Sequence, residues 1–360
     1  MSNFTSADIL KALSHVEDPD LKKDLVTLGM IKQLTFDEKH ISFTLELTTP
    51  ACPMKDMLEN ACRNAIQHFV SKEVEININI TSRTTSGNNS PLLPKVKNII
   101  AVGSGKGGVG KSSVSTWLAL TLAKSGAKVG LLDGDIYGPS IPTMMGVKDY
   151  RPSSREKNGK TLLEPCMVNG IKVFSIGFLA DDRQAIVWRG PMLSKAFKQF
   201  VEEVDWDELD YLIIDLPPGT GDIQLTICQT LPLTGVVVVT TPQNVSLADA
   251  QRAISMFDIQ GIQFPVLGVV ENMAYFIPPD DSSKKYAIFG EGGGQKLAEN
   301  NNIDLLGQIP INMSLREAAD AGINENNIPS MQFFADIAGN IVRKIAILNN
   351  KNNHGSAGQN

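Results

Sequence analysis

The residues best placed to do chemistry lie between Gly103 and Ser113, where the chain reads Gly-Ser-Gly-Lys-Gly-Gly-Val-Gly-Lys-Ser-Ser. From Gly105 to Ser112 the spacing G-x-x-x-x-G-K-S is met in full. Along Gly105, Lys106, Gly107, Gly108, Val109 and Gly110 the glycines let backbone N–H groups turn inward around phosphate oxygens, and a helix opening at Lys111, Ser112 and Ser113 adds its partial positive charge. Lys111 would reach the β- and γ-phosphates, and the Ser112 hydroxyl would ligate Mg²⁺. A glycine-rich turn that binds nothing is the alternative, but it does not account for the lysine and serine. This is a nucleotide site.

Three carboxylates follow. Asp133 and Asp135, in Leu132-Asp133-Gly134-Asp135, come just past an apolar run. A phosphoryl-transfer site needs a Mg²⁺ shell and a group to orient the attacking water; capping a helix is the plainer role for either aspartate. Asp215 closes the apolar run from Tyr211 to Ile214, the Walker B arrangement that holds the hydration shell of Mg²⁺. After it, Pro217-Pro218-Gly219-Thr220-Gly221-Asp222 reads as a switch loop whose Gly219 N–H could sense the γ-phosphate.

The loop G-K-G-G-V-G-K-S resembles the deviant P-loop of the MinD/ParA/nitrogenase-iron-protein class. In that class a lysine at the position of Lys106 reaches across a nucleotide-sandwiched homodimer. Longer motifs narrow the resemblance: D-G-D-I-Y-G-P-S from Asp133, W-R-G-P-M at 188–192, D-L-P-P-G-T-G-D from Asp215, V-E-N-M at 270–273 and F-G-E-G-G-G at 289–294 together resemble the Mrp/ApbC family of iron–sulfur carrier ATPases. The resemblance implies ATP hydrolysis with Asp135 orienting water or serving as switch I, Asp133 supporting the metal or the Lys111 side, and Asn272 and Pro310 contacting adenine. It also implies a labile [4Fe-4S] cluster and iron–sulfur client proteins. One departure matters. Where many members carry C-x-x-C, this chain reads Ile277-Pro278-Pro279-Asp280-Asp281. Cluster ligands must then come from Cys52, Cys166, Cys228 or a partner.

The elements that must position these residues divide the chain. Residues 96–349 alternate strand and helix patterns, several strands being unbroken Val/Ile/Leu runs, as in a doubly wound, mostly parallel α/β sheet with ligands at the carboxyl ends of its strands. Residues 1–82 read as a small α+β domain ordered α-β-β-α-β, with a helix from Ser6 behind a Thr5/Ser6 cap, a strand at Val26–Ile31, an alternating strand at His40–Leu47, a helix from Lys55 and a last strand at Glu73–Thr81. Residues 83–95 read as a linker and 350–360 as a disordered tail. Cys52 sits between strand and helix, where a helix N-terminus would favour its thiolate, unless it is simply a small apolar turn residue. D-P-D-L at 18–21 and T-T-P-A-C-P at 48–53 resemble the small SufT-type domain of iron–sulfur assembly factors, which implies a cluster role for Cys52.

Composition sets the limits. Of 360 residues, 42% are hydrophobic and 20% charged, and the net charge of −6 argues against a general nucleic-acid binder. Four cysteines make no disulfide framework, and no signal peptide or membrane-length apolar run is visible, so a reducing cytoplasm without stable membrane insertion is expected. The amphipathic stretch 333–345 could target a membrane, but its sparse basic residues favour a last helix packed on the sheet. Three other readings stand beside the cluster carrier: a positioning or partitioning ATPase, a nitrogenase-reductase-like electron carrier, and an ATP-dependent adaptor without its own cluster.

Overall fold

The computed structural model describes residues 4–355 apart from 88–89, 137, 158, 180–196, 200, 259–263, 282, 325 and 329–331. The motif at 188–192 lies outside the described residues. Two compact units emerge: Met1–Thr85 together with the chain from Val342 onward, and Ser86–Ile341.

In the small unit, helix α1 (Ser6–Leu13) starts at a capping box in which Asp8 N–H donates to Thr5 Oγ1 and Thr5 N–H donates to Asp8 Oδ2. A cap of this kind contributes about 1 kcal/mol. Strands β1 (Ile31–Phe36), β2 (His40–Leu47) and β3 (Glu75–Ser82) form a sheet in that order, β1 antiparallel and β3 parallel to β2. Ile41, Phe43, Leu45 and Leu47 point inward at period two against Leu58, Cys62, Ala65 and Ile66 of helix α2 (Lys55–Phe69). The expected strand at Val26–Ile31 is instead mostly a turn. Asp24 Oδ1 accepts from the N–H groups of Val26 and Thr27, Gly29 takes φ +66°, and β1 begins only at Ile31.

The large unit is built on eight strands: β4 (Val96–Gly103), β5 (Val129–Asp133), β6 (Cys166–Val168), β7 (Ile171–Ser175), β8 (Leu209–Asp215), β9 (Gly235–Thr240), β10 (Val266–Glu271) and β11 (Leu305–Gln308). Their order is β6-β7-β5-β8-β4-β9-β10-β11, with only β6 antiparallel to its neighbour. Val236–Val239 of β9 are wholly buried, as central strands covered on both faces must be. Each such valine contributes roughly 1.5–3 kcal/mol of burial. Helix α3 (Lys111–Lys124) is apolar nearly all round, with Val114, Trp117, Leu118 and Leu122 inside. The strand order places the carboxyl ends of β4, β5 and β8 side by side, with Asp215 in register with Asp133 and with Val102.

Two boundaries differ from the sequence reading. Residues from Ser86 onward belong to the large unit, where Gly87 N–H donates to Lys97 O and Leu93 is buried, so the linker is shorter than 83–95. The last helix runs from Gln332 to Gly355, through the first part of the expected disordered tail. Its Phe334 lies 6.0 Å from Trp117 between ring centroids in the large unit. From Val342 it belongs to the small unit, where Asn349 Nδ2 donates to Thr85 O, so the 349 boundary moves back to 341.

Candidate functional site

Gly110 is the N-cap of α3 and holds φ +85°; Gly108 holds φ +83°. A Cβ on Gly110 would stand 2.1 Å from Asn272 Nδ2, and one on Gly105 would stand 2.1 Å from the Asp249 carbonyl. The loop is thus pinned at both ends. At Gly107 and Gly108 a Cβ would meet nothing within 4 Å, so the middle of the loop faces open space. That is the shape of a phosphate cradle.

Lys111 turns its amine onto Asp215, Nζ to Oδ2 at 2.8 Å, and lies 3.8 Å from Asp135 Oδ2. Asp215 also accepts from Ser112 Oγ at 2.6 Å and Ser115 Oγ at 2.7 Å. Sequence spacing did not single out Ser115; it lies one turn beyond Lys111, whose carbonyl it also contacts. Ser112 and Asp215 make a hard-oxygen donor set, which suits Mg²⁺ and its shell of waters. Asp135, 9% exposed, accepts from Gly138 N–H. Ser113 lies part-exposed on the first turn of α3.

Asp133, expected to support the metal or the Lys111 side, is wholly buried in register with Asp215 and within electrostatic reach of Lys111. One oxygen accepts from Asp135 N–H, and the other from Ile141 N–H and Ser175 Oγ. Full burial and the neighbouring Asp215 carboxylate push its carboxyl up to about 8, against the pull of Lys111. These bonds also brace the Asp135 loop.

Gly219, at φ +103°, donates its N–H to Ser104 O at 2.9 Å, which ties the switch loop to the start of the phosphate loop. Asn272 donates Nδ2 to Val109 O at 2.8 Å, so its amide holds the phosphate loop and leaves Oδ1 as an acceptor. Pro310 is buried beside it, where Ile309 N–H donates to Glu271 O. Lys106 is half-buried and has no ion pair among the described residues.

The cysteines are all free. Cys62, Cys166 and Cys228 are buried, and burial pushes Cys62 and Cys228 up to about 12. Cys52 is part-exposed, but its thiol is raised rather than lowered. Burial dominates, with the Asp18 and Asp20 carboxylates adding to it and the Met54 N–H opposing. The expected thiolate-favouring environment is outweighed. Among the described residues no group of three or more His, Cys, Asp or Glu is set to hold a metal, and no helix is long and apolar enough to cross a membrane.

Residues 95–346 match the family described as NUBPL iron-transfer P-loop NTPase. The chain belongs to that family. Residues 6–78 of this NTPase match a second family, described as iron-sulfur cluster assembly protein. The NTPase is 46% identical over 323 residues to an iron-sulfur cluster carrier protein of Synechocystis sp., covering 89% of this chain and 91% of that one. It is 48% identical over 315 residues to an iron-sulfur cluster carrier protein of Deinococcus radiodurans, covering 87% of each. Among solved structures it is similar to a nucleotide-binding protein from Archaeoglobus fulgidus in complex with ADP, at 41% identity and a TM-score of 0.58 over 67% of this chain and 92% of that one.

Proposed function

We propose that this NTPase is a Mg·ATP-hydrolysing, homodimeric carrier that delivers iron–sulfur clusters to client proteins. The observation that carries the reading is the union, in one chain, of the Lys111–Asp215–Ser112 site with a small domain whose Cys52 is the part-exposed one of four free thiols. One segment matches an iron-transfer P-loop NTPase family and the other an iron-sulfur cluster assembly family, and the two relatives bear the name iron-sulfur cluster carrier protein.

In this reading the N–H groups of Gly105–Gly110 hold the phosphates, and Lys111 exchanges Asp215 for the β- and γ-oxygens. Ser112 and Asp215 hold Mg²⁺, which supplies neutralisation of phosphate charge. Asp135 orients the attacking water. Lys106 acts on the nucleotide of the second protomer, Gly219 N–H reads the γ-phosphate, and Asn272 with Pro310 flanks adenine. Hydrolysis then frees the switch loop.

The cargo is a labile [4Fe-4S] cluster, with Cys52 as the ligand this chain provides. Because its thiol is held neutral, binding iron must release a proton there, so loading is favoured as pH rises. A second reading, an adaptor that engages clients without a cluster of its own, draws on Ile277–Asp281 standing where C-x-x-C stands in many Mrp/ApbC members and on the burial of Cys166 and Cys228. Anaerobic reconstitution of wild type beside Cys52→Ala, with iron, sulfide and visible absorption measured per protomer, separates the two. A cluster present in wild type and absent from Cys52→Ala is expected. No cluster in either protein, with Mg·ATP hydrolysis intact, would leave the adaptor.

A further inference from the structure

Gln224 lies in the first turn of helix α4 (Asp222–Thr230), directly after the switch loop, and is 2% exposed. Neither its Nε2 nor its Oε1 has a hydrogen-bond partner among the described residues. A carboxamide buried without partners forfeits its hydration for nothing, which is why such groups are rare in folded chains.

Its surroundings are specific. A Cβ on Gly103 would stand 2.9 Å from Gln224 Nε2, with Phe257 Cζ at 3.4 Å and Leu216 Cδ1 at 3.5 Å. The amide therefore abuts the last residue of β4, one peptide before Ser104. The Ser104 carbonyl is the group to which Gly219 N–H is tied at 2.9 Å. If Gly219 turns that N–H towards a γ-phosphate, the buried Ser104 carbonyl loses its donor. Around Gly219 and Gly221 an added Cβ would meet nothing within 4 Å, so the loop has room to make the turn.

We infer that Gln224 is a positioning residue for γ-phosphate recognition: its carboxamide takes over the Ser104 carbonyl when the Gly219 N–H leaves it for the γ-phosphate. One donor departs and another arrives, so the phosphate loop keeps its backbone satisfied through the switch. The carboxamide gains its partner only in the triphosphate-bound arrangement, which makes it a discriminator between ATP and ADP. The inference rests on the ATP-hydrolysing reading above and adds a residue to it.

The test is equilibrium binding of Mg·ADP and of a Mg-bound non-hydrolysable ATP analogue to the full chain, comparing wild type with Gln224→Leu and Gln224→Met. Thermal unfolding without nucleotide and steady-state hydrolysis accompany it. Both variants should melt at or above the wild-type temperature, bind ADP as wild type does, and lose about tenfold in affinity for the analogue, the scale of one buried hydrogen bond. Hydrolysis should show the loss as a raised KM for Mg·ATP, because the bond is already made in the triphosphate-bound ground state. Variants that melt below wild type without nucleotide would show the amide serving the resting fold, through a buried water or otherwise, and overturn the inference. So would equal weakening of both nucleotides. Should neither variant fold, the Gln224 side-chain amide resonances of ¹⁵N-labelled wild type should move with the analogue and not with ADP; equal spectra overturn it. A wild-type chain that binds neither nucleotide would instead defeat the ATP reading itself.

Discussion

Lys111 Nζ and Asp215 Oδ2 stand 2.8 Å apart, with the lysine side chain 6% and the aspartate 0% exposed. This pair ties the first turn of α3 to the end of β8, and it holds the cation proposed to receive the phosphates in contact with an internal anion. Removing one partner of such a pair strands the other charge out of water, at about 3–5 kcal/mol. Ser112 and Ser115 still hold Asp215, so Lys111→Met should lose close to 3 kcal/mol in urea unfolding. Adding Asp215→Asn should recover most of it, and both variants should fail to bind ATP. Lys106→Ala, at a half-buried position without an ion pair among the described residues, should change stability by less than about 0.5 kcal/mol while lowering hydrolysis. Equal unfolding losses at the two lysines would contradict this division of labour.

The loop glycines separate in the same way. Gly110→Ala forces a side chain to φ +85° and drives its Cβ to 2.1 Å from Asn272 Nδ2, which should destabilise by roughly 1–3 kcal/mol. Gly107→Ala meets no atom within 4 Å and needs no unusual backbone, so its melting temperature should match wild type. Its new methyl enters the space that the phosphates need, and ATP affinity should fall. Calorimetric titration beside thermal unfolding reads both effects. A Gly107→Ala chain with unchanged ATP affinity would place the phosphates elsewhere.

How much of this was legible in the sequence follows from distance along the chain. The loop 105–112 could be read because its chemistry is local, and Asp215 because an apolar run leads directly to it. The bracing role of Asp133 could not, since its partners Ile141 and Ser175 lie 8 and 42 residues away. Cys52 misled for a related reason: the helix end is adjacent, whereas the burial and the Asp18 and Asp20 carboxylates that raise its thiol come from the folded domain. Val26–Ile31 has the composition of a strand, but Asp24 caps the N–H groups that a ladder would need. The Asn-rich end after residue 349 looks unstructured, yet the helix carries on through it to Gly355 after Asn349 anchors on Thr85. Gln224 did leave a trace, a glutamine between Ile223 and Leu225 on a helix start.

Asn272 offers a test that separates loop support from base recognition. Its Nδ2 holds Val109 O at 2.8 Å, and Asn272→Ala leaves that carbonyl unpaired at a site where the residue is only 8% exposed. A loss of about 1 kcal/mol in unfolding free energy is expected from this bond alone. The free Oδ1 suits the exocyclic amine of adenine, so the preference for ATP over GTP should narrow in the variant. Competition binding with the two nucleotides measures it. A preference that survives unchanged would confine Asn272 to the loop.

The thiols make the last prediction, through pH. Cys62 and Cys228 are pushed up to about 12 by burial, and Cys52 is raised by burial and by Asp18 and Asp20. A maleimide at pH 7.5 should label Cys52 first, because it is the part-exposed thiol, yet more slowly than a small free thiol, because less of it is thiolate. The labelling rate should climb about tenfold per pH unit until the raised pKa is reached. Stability carries the opposite sign. Thiols whose folded pKa lies above the ordinary 9.0 bind more protons folded than unfolded in the window from about pH 9 to 12, so stability is fully present below pH 9 and falls as pH rises through that window. Replacing Cys62 and Cys228 with alanine should flatten that alkaline limb while lowering stability at pH 7, since two core side chains are truncated. A wild-type limb no steeper than that of the double variant would mean that these thiols do not carry the alkaline transition.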